Sequence, residues 1–278
     1  MLPLGFKPKK SLGQSFLISN KIADRLVNAL DLKPFDNVLE IGAGTGILTT
    51  RCAKQAQNVY AVEIDERLVP ILQGNIKDFN NIEIIHRDIL QIDWQKLGKV
   101  KVIGNIPYFI SFKIIFNLLK NIKMWNLAVL TTQKEFARKL LASPEKPGYC
   151  ATTVLFDYYA ERKKLFSVSA SMFRPSPKIT STAVLIEKRI CPVSIDIDFK
   201  ALSVVVQASF KQPRKTIANN LSMFLNIDKT ALIRTTNLDL TRRAKSFSTT
   251  DFCQLTNDLH KSKNIYDESI ANAFCNKS

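Results

Sequence analysis

The feature that most constrains this chain is the alternation of short apolar runs with amphipathic segments through its first 190 residues. Apolar runs of this length, bounded by turn residues, predict buried strands. The predicted strands cover residues 37–41, 59–64, 82–85, 100–103 and 127–130. Because the segments between them have helical apolar spacing, the pattern predicts βαβ units and an α/β fold with a mostly parallel sheet.

Further elements are expected at both ends of this alternation. A helix with Ser19 as its N-cap should precede the first strand. Residues 164–168 and 181–187 predict an antiparallel pair at one edge of the sheet, joined by a loop that contains two prolines.

The pattern changes after this sheet. From Phe199 onward the apolar period is helical, so a small helical domain is expected at about 192–265. Residues 190–194 form the natural linker. We therefore expect a larger domain at residues 1–190 and a smaller C-terminal domain at residues 191–278.

The chain is strongly basic. It has 40 Lys and Arg against 24 Asp and Glu, a formal net charge of +16, and its pI is near 9.7. A surplus of this size favours a polyanionic partner such as nucleic acid. The hydrophobic content of 46% with 9 Gly and 11 Pro is typical of a folded chain.

Cysteine and histidine usage argues against several classes of site. The five cysteines lie far apart without a C-x-x-C pair, which indicates reduced, mostly buried thiols in a cytoplasmic protein. With only two histidines, a zinc site or a His-based triad is hard to build, so no metal is expected. Since we find neither a signal peptide nor an apolar run of membrane-spanning length, no membrane association is expected.

Glycines and polar residues stand where four of the predicted strands end. Gly42 and Gly44 follow the first strand, Glu63 ends the second, Asp88 follows the third and Asn105 follows the fourth. Ligands of open parallel sheets bind at these carboxyl ends. The glycines allow close backbone approach, the glutamate can accept from ribose hydroxyls, and the aspartate can accept from an adenine amino group. This order is typical of an S-adenosylmethionine site, whereas the dinucleotide fingerprint G-x-G-x-x-G is not met.

The residues Asn105, Ile106, Pro107 and Tyr108 form a second constellation. Pro107 holds the preceding residue extended and supplies no N–H, so backbone carbonyls of this turn remain able to accept hydrogen bonds. An amide side chain and a phenol ring flank those carbonyls. The four residues predict a slot for a flat group that donates hydrogen bonds from an amine.

These motifs occur in an order that resembles the ribosomal small-subunit RNA adenine dimethyltransferases over nearly the full length. The matching segments are residues 10–17 (KSLGQSFL), 40–46 (EIGAGTG), 62–65 (VEID), 87–90 (RDIL), 104–108 (GNIPY), 133–135 (QKE) and 173–178 (FRPSPK). The resemblance implies a Rossmann-like class I S-adenosylmethionine-dependent methyltransferase sheet with a helical C-terminal RNA-binding domain. It also implies N6,N6-dimethylation of two adjacent adenines near the 3′ end of small-subunit rRNA.

The resemblance also implies site residues. The implied cofactor contacts are Gln14, Ser15, Leu17, Gly42, Gly44, Glu63, Ile64, Asp88, Ile89 and Asn105. Three positions depart from the family pattern: Ser15 stands where Asn or His is common, Ile106 where Leu is usual, and Pro213 where a basic residue is expected.

The expected mechanism uses hydrogen-bond acceptors instead of a strong base. The Asn105 side-chain oxygen and the Ile106 carbonyl would accept the two N–H bonds of adenine N6 and aim its lone pair at the sulfonium methyl group. Tyr108 would stack on the target base, and Phe173 would cover its other face.

Lysines and arginines are expected to contact the phosphates of the RNA. The clusters are Lys7, Lys9 and Lys10, then Arg162, Lys163 and Lys164, and finally Arg214 and Lys215. The expected partner is rRNA in the small ribosomal subunit or its precursor, bound by a monomer.

The sequence is also compatible with three different functions. The first is a large-subunit rRNA methyltransferase of the antibiotic-resistance type, since such enzymes share the Asn-Ile-Pro-Tyr motif. Residues 135–140 with 147–149, and residues 207–216, favour the small-subunit enzyme instead. The second is a non-catalytic RNA-binding assembly factor with a methyltransferase fold, and the third is an enzyme that methylates amines of DNA.

Overall fold

The computed structural model describes residues 5–190, 192–194, 197–226 and 228–261, without the side chains of Lys10 and Tyr108. The chain divides into two compact units. The first comprises Met1–Ala137 and Glu161–Lys188, and the second Arg138–Ala160 and Arg189–Ser278.

A seven-stranded sheet forms the centre of the first unit, in the order β4-β3-β2-β5-β6-β9-β7. Its strands are β2 Asn37–Ile41, β3 Asn58–Glu63, β4 Ile82–His86, β5 Val100–Asn105, β6 Trp125–Gln133, β7 Ala160–Val168 and β9 Ser181–Lys188. Strands β2 to β6 pair in parallel, and β9 pairs antiparallel with β6. The predicted α/β class and the five predicted parallel strands are confirmed.

The two last strands occupy one edge, as the sequence predicts, but their order follows burial. β9 lies between β6 and β7 and is buried at most positions, whereas β7 is the edge strand and alternates with exposed residues. The buried, apolar middle of β9, residues 183–186, is suited to an interior strand, whereas the charged run at residues 161–164 of β7 is suited to an edge.

Among the described residues, the first unit contains the helices α1 Asn20–Asn28, α2 Thr49–Ala53, α3 Val69–Ile76 and α4 Ser111–Lys120. Helix α5, Lys134–Leu140, begins in the first unit and ends in the second. The predicted cap of α1 is confirmed, since Ser19 Oγ accepts from the Ile22 amide at 3.3 Å. α2 begins at Thr49, later than its predicted start near Ile47. Gly46 has φ of 86°, so the glycine turn ends immediately before the predicted start, and the observed start lies within two residues of it.

A small second sheet joins β1 Phe16–Leu17 to β8 Phe173–Arg174 in antiparallel register. The pairing connects residues 5–17, which we call the N-terminal segment, to the loop before β9. Leu17 and Phe173 are both buried and belong to a core cluster that includes Val38 and Ile103 of the main sheet.

The second unit is helical. Its helices are α6 Ala151–Tyr159, α7 Phe199–Phe210, α8 Ile217–Leu225, α9 Lys229–Arg234 and α10 Thr249–Lys261. The observed division differs from the predicted boundary at residue 190, because residues 138–160 pack with the C-terminal helices. α6 contacts α7 and α10, and Thr249 Oγ1 donates to Asp157 Oδ2 at 2.8 Å.

The described residues bear on two predictions from the sequence, those about the cysteines and about membrane-spanning segments. Cys52, Cys150 and Cys253 are free thiols, while Cys191 and Cys275 lie outside the described part of the chain. Within that part, no helix combines the length and the apolar character needed to cross a bilayer.

Candidate active site

A glycine turn after β2 forms one wall of a cavity at the carboxyl edge of the parallel strands. Gly42 and Gly44 have φ of 74° and 59°, a backbone region that favours glycine. The Gly42 and Ala43 amides both donate to the Val62 carbonyl, at 2.9 and 3.0 Å, which fixes the turn against β3. No heavy atom lies within 4 Å of the Cβ position at Gly42, so the backbone there is open to the cavity.

The cavity has a volume of about 450 Å³. This size is within the range of small-molecule sites in proteins, about 300–1,000 Å³. The predicted residues Gly42, Gly44, Glu63, Asp88 and Asn105 all line it. The structure therefore brings together glycines and polar side chains that come from four different strand ends.

Glu63 presents a buried carboxylate to this cavity with 5% of its surface exposed. Its Oε2 accepts from the Gly44 amide at 2.8 Å, and its Oε1 accepts from the Asp65 amide at 2.9 Å. Burial raises the pKa of Glu63, and these backbone hydrogen bonds oppose the rise. Since each carboxylate oxygen has two lone pairs, each can still accept one hydroxyl of a ribose.

Asp88 follows β4 and is half-buried. Its Oδ1 caps the short 3-10 helix Ile89–Gln91 by accepting from the Leu90 amide at 2.9 Å. Its Oδ2 has no hydrogen-bond partner among the described residues and can accept from an amino group. Ile64 and Ile89 line the same cavity and supply apolar surface for a flat base.

The amide of Asn105 is oriented by the N-terminal segment. Its Nδ2 donates to the Ser15 carbonyl at 2.8 Å. A carbonyl oxygen can only accept, so this contact fixes which end of the amide is the donor. The Oδ1 of Asn105 therefore remains available to an N–H donor.

A second acceptor lies in the next residue. The Ile106 amide donates to the Thr131 carbonyl at 2.8 Å, which continues the pairing of β5 with β6. The Ile106 carbonyl itself has no partner among the described residues. The Pro107 carbonyl, in contrast, accepts from Ser111 Oγ at 3.0 Å. The side chain of Tyr108 lies outside what the structure describes.

The N-terminal segment covers part of the cavity. Gln14, Ser15 and Leu17 all line it. Ser15 Oγ donates to the Pro175 carbonyl at 2.9 Å. Gln14 uses both ends of its amide within the protein, because Oε1 accepts from the Lys9 amide at 2.7 Å and Nε2 donates to a carboxylate.

That carboxylate belongs to Asp65, a residue for which the sequence predicted no role. Its side chain is fully buried. Asp65 Oδ2 accepts from Gln14 Nε2 at 2.7 Å and from Arg67 Nη2 at 2.6 Å, and its Oδ1 lies 3.4 Å from Lys9 Nζ. The hydrogen bond from Arg67 holds the pKa of Asp65 well below its usual range. Its position two residues after the strand-end glutamate was the signal that could have identified it.

Several predicted residues lie away from the centre of the cavity or are engaged within the protein. Lys9 was expected to contact phosphate, but its ammonium group pairs with Asp65. Phe173 is 4% exposed and lines the cavity as part of the core. Arg214 and Lys215 are exposed between α7 and α8 of the second unit and do not line the cavity. Their roles in substrate binding remain predictions.

Some cavity residues were not predicted as site residues: Phe109 and Thr132 carry no motif signal, and Gln133 belongs to the QKE segment, for which the sequence predicted no role. They reach the cavity through the packing of neighbouring strands and turns. Among the described residues, no group of three or more His, Cys, Asp or Glu is placed to hold a metal ion.

Comparison with known proteins agrees with this geometry. A family model of ribosomal RNA adenine dimethylase matches residues 5–261. The ribosomal RNA small subunit methyltransferase A of Bacillus cytotoxicus is 37% identical, with 93% of this chain and 94% of that protein covered. The protein of the same name from Clostridium botulinum is 34% identical, with 92% and 95% covered.

Solved structures show the same fold. A dimethyladenosine transferase from Plasmodium falciparum superposes with a TM-score of 0.78 at 26% identity, over 89% of this chain and 98% of that one. The 23S rRNA methyltransferase ErmE superposes with a TM-score of 0.70 at 24% identity, over 88% and 99%. The second likeness concerns the fold alone.

Proposed function

The chain belongs to the ribosomal RNA adenine dimethylase family, and from this premise we propose that it dimethylates N6 of two adjacent adenines near the 3′ end of small-subunit rRNA. The protein is an S-adenosylmethionine-dependent methyltransferase. The observation that carries the proposed chemistry is the pair of free acceptors, Asn105 Oδ1 and the Ile106 carbonyl, at the edge of the cavity.

The residues of the cavity fit the methyl donor. S-adenosylmethionine supplies a methyl group already activated by its sulfonium sulfur. Glu63 can accept from the ribose hydroxyls of S-adenosylmethionine, and Asp88 Oδ2 can accept from its adenine amino group. The open backbone at Gly42 leaves space for its methionine chain. These are assignments that we propose from the geometry of the free protein.

Asn105 and Ile106 are proposed to activate the acceptor nitrogen by hydrogen bonding. The lone pair of adenine N6 is delocalised into the ring, so the amine is a weak nucleophile. Two acceptors that bind both N–H groups favour a pyramidal nitrogen, and they direct its lone pair toward the methyl group. Alignment of this kind contributes about 7–11 kcal/mol in favourable cases.

The target base has to leave its stack to reach these acceptors, which fits adenines in single-stranded or loop RNA. We propose that Tyr108 stacks on the base and that Phe173 closes the other face. Each such stacking contact contributes about 1–3 kcal/mol.

The choice of the small subunit is supported by the names of the relatives with 34–37% identity, whereas the likeness to ErmE concerns the fold. The proposed partner is therefore rRNA in the small subunit or its precursor. We propose that the protein acts as a monomer in the cytoplasm, where ribosomes assemble.

One experiment tests substrate and product together. Labelled S-adenosylmethionine is offered with unmethylated small subunits and, separately, with unmethylated large subunits, and the dimethyladenosine formed is mapped. We expect label at two adjacent adenines of the small-subunit RNA. Label only in the large subunit would replace this proposal with the antibiotic-resistance type, and binding without transfer would indicate an assembly factor.

The catalytic assignment predicts that Asn105→Ala lowers kcat by about 10²–10³, because an interaction made with the reacting amine is lost. Tyr108→Ala should raise the KM for RNA by roughly tenfold or more through lost stacking. The control is Asn28→Ala, since Asn28 is exposed on α1 and does not line the cavity. Near wild-type rates for Asn105→Ala would remove the proposed role of its amide.

A further inference from the structure

The outer side of α4 carries large aromatic residues in an unusual setting. Phe109, Phe112 and Phe116 are 52%, 41% and 36% exposed. Phe109 lies in the turn before α4, Phe112 in its first turn and Phe116 in its middle. Lys113 and Lys120 are exposed on the same helix. We call these five residues the aromatic face of α4.

The face follows from the helical period. With about 100° between successive residues, Phe112, Phe116, Lys120 and Lys113 lie within an arc of roughly 100°. The rest of the circumference carries the buried residues Ile114, Ile115, Leu118 and Leu119. Single exposed apolar residues are common on soluble proteins, but a contiguous set of aromatic rings indicates a binding surface.

The aromatic face is positively charged. The sequence of α4, SFKIIFNLLK, contains two lysines and no acidic residue. Exposed rings beside lysines are the combination that binds single-stranded nucleic acid, in which bases stack on the rings and phosphates meet the cations. An anionic lipid surface would also attract lysines. The position of the aromatic face beside the cavity favours RNA over lipid, because the cavity receives a base of the RNA.

The aromatic face is continuous with the catalytic turn. Phe109 lies two residues after Pro107 and lines the cavity. Its ring packs against the N-terminal segment, because a Cβ at Gly13 would lie 3.2 Å from it. Phe112 is held by an edge-to-face contact with Phe136 at 4.9 Å between ring centroids. The rings of Phe109 and Phe112 are therefore positioned by the protein itself.

We propose that the aromatic face of α4 binds the single-stranded RNA that flanks the target adenine. The inference rests on the proposed function, since it names the path of the same substrate. A base unstacked into the cavity leaves neighbours that have lost a stacking partner, and Phe109 and Phe116 offer them new ones. Lys113 and Lys120 pair with the phosphates between those bases.

The test is the double variant Phe109→Ser/Phe116→Ser, assayed with unmethylated small subunits. We expect the KM for the subunit to rise roughly tenfold or more, because two stacking contacts are lost. Because Phe109 also lines the cavity, the single variant Phe116→Ser separates RNA binding from binding of the methyl donor. For Phe116→Ser the KM for the subunit should still rise by about threefold or more. Its KM for S-adenosylmethionine and its melting temperature should stay within about twofold and about two degrees of wild type. The matched control is Phe35→Ser, since Phe35 is 73% exposed and lies away from the cavity.

A second variant, Lys113→Gln/Lys120→Gln, tests the charges. The salt dependence of binding to a labelled single-stranded RNA should become shallower by about 1.4 in the slope of log K against log salt, for two phosphate contacts. In the same variant, RNA that carries 4-thiouridine beside the target adenine should cross-link to the aromatic face with a lower yield than in wild type.

The outcomes separate the two proposals. Suppose the wild-type protein methylates rRNA and both double variants keep the wild-type KM for the subunit and the wild-type salt slope. The aromatic face then does not bind RNA, and the proposed function still stands. Absence of rRNA methylation by the wild-type protein would overturn both. Loss of binding to anionic phosphatidylserine vesicles, or loss of self-association, in the variants without an effect on RNA would assign the aromatic face to a membrane or to a second copy and overturn the inference.

Discussion

Glu40 is a carboxylic acid enclosed in the sheet with 1% of its surface exposed. Its Oε2 accepts a hydrogen bond from the Thr49 hydroxyl. Burial raises the pKa of Glu40 to about 8, and the nearby carboxyl of Glu63 adds to the rise. The group is therefore protonated in the folded protein at neutral pH, while it is ionised in the unfolded chain.

This difference predicts a pH dependence of stability. As pH rises from 4.5 toward about 8, the unfolded state loses the Glu40 proton and the folded state retains it. The free energy of unfolding should therefore decrease with pH in this window, by up to about 1.4 kcal/mol per pH unit. Glu40→Gln should remove this contribution, so the stability difference between variant and wild type should shift in favour of the variant between pH 5 and pH 8.

Urea denaturation at both pH values measures the effect. The matched control is Glu83→Gln, because Glu83 is exposed on β4. If wild type and Glu40→Gln give parallel pH profiles, Glu40 does not hold its proton through this range.

At the residue scale, the strand-end groups could be located from the sequence, but the contacts that orient them could not. Glu63, Asp88 and Asn105 could be predicted because polar residues after buried strands collect at one edge of a parallel sheet. The contact between Asn105 and Ser15 spans 90 positions of the chain. No local pattern specifies such a contact, so the free end of the amide is visible only in the structure.

At the element scale, Gly104 sets how closely two central strands approach. A Cβ at Gly104 of β5 would lie 2.9 Å from the Ile41 carbonyl oxygen and 3.0 Å from the Ile41 Cβ of β2. Both atoms belong to a strand held in register by its neighbours, so they cannot move without shifting the sheet. The spacing also places Asn105, the next residue, at the edge of the cavity.

We expect Gly104→Ala to lower the free energy of unfolding by about 1–3 kcal/mol, as overpacking in a sheet core does. The opposite result is expected for Gly74→Ala, because Gly74 lies in α3 with no heavy atom within 4 Å of its Cβ position. That change should stabilise by about 0.5–1 kcal/mol through helix propensity. Thermal or denaturant unfolding of the pair distinguishes steric crowding from any general effect of replacing glycine.

The N-terminal segment could be recognised in the sequence by resemblance, but its place in the fold could not be predicted. Asp65 attaches it to the end of β3 through Gln14 and Lys9. Arg67, which also binds Asp65, donates to the Lys7 carbonyl. These contacts join positions more than 50 residues apart, except for the contact between Arg67 and Asp65. The same limit applies to α6, whose packing with the C-terminal helices depends on which faces of distant helices remain uncovered.

Asp65→Asn should loosen this segment. The Asn amide group would face the donors Gln14 Nε2, Arg67 Nη2 and Lys9 Nζ, so at least one donor loses its acceptor. Because residues 14–17 line the cavity, we expect the dissociation constant for S-adenosylmethionine to rise by roughly tenfold, which corresponds to about 1.4 kcal/mol. Isothermal titration measures this constant, and faster proteolytic cleavage near residue 10 should accompany the change.

Asp31→Asn is the matched control, since Asp31 forms an exposed ion pair with Lys33. Ion pairs at exposed positions contribute little. An Asp65→Asn protein with wild-type affinity and wild-type proteolysis would show that the segment keeps its place without the carboxylate.

At the scale of the whole molecule, two domains and a basic surface could be predicted from the sequence. The observed units assign residues 138–160 to the helical part, so that part receives two separate stretches of chain. Composition could not show this, because α6 has the same apolar character as a helix of the larger unit. The role of the second unit in RNA binding remains our proposal.

The net charge of +16 makes the last prediction a property of the whole chain. Binding of a polyanion by lysines and arginines releases counterions, so log K should fall linearly with log salt, with a slope near −0.7 for each contacted phosphate of a single strand. With about three contacts or more, the affinity for RNA should fall at least tenfold between 50 and 200 mM salt. The affinity for S-adenosylmethionine should change little over the same range, since its site contacts no polyanion.

Arg214→Gln/Lys215→Gln should make the slope of log K for RNA against log salt shallower by about 1.4. The control Lys54→Gln/Lys77→Gln, which replaces two exposed lysines of the first unit, should leave that slope unchanged. Removing a lysine or arginine that contacts a phosphate should reduce the salt slope more than removing a distant charge of the same sign. If the two double variants reduce the slope equally, residues 214–215 do not contact phosphates, and the net charge acts as a diffuse field.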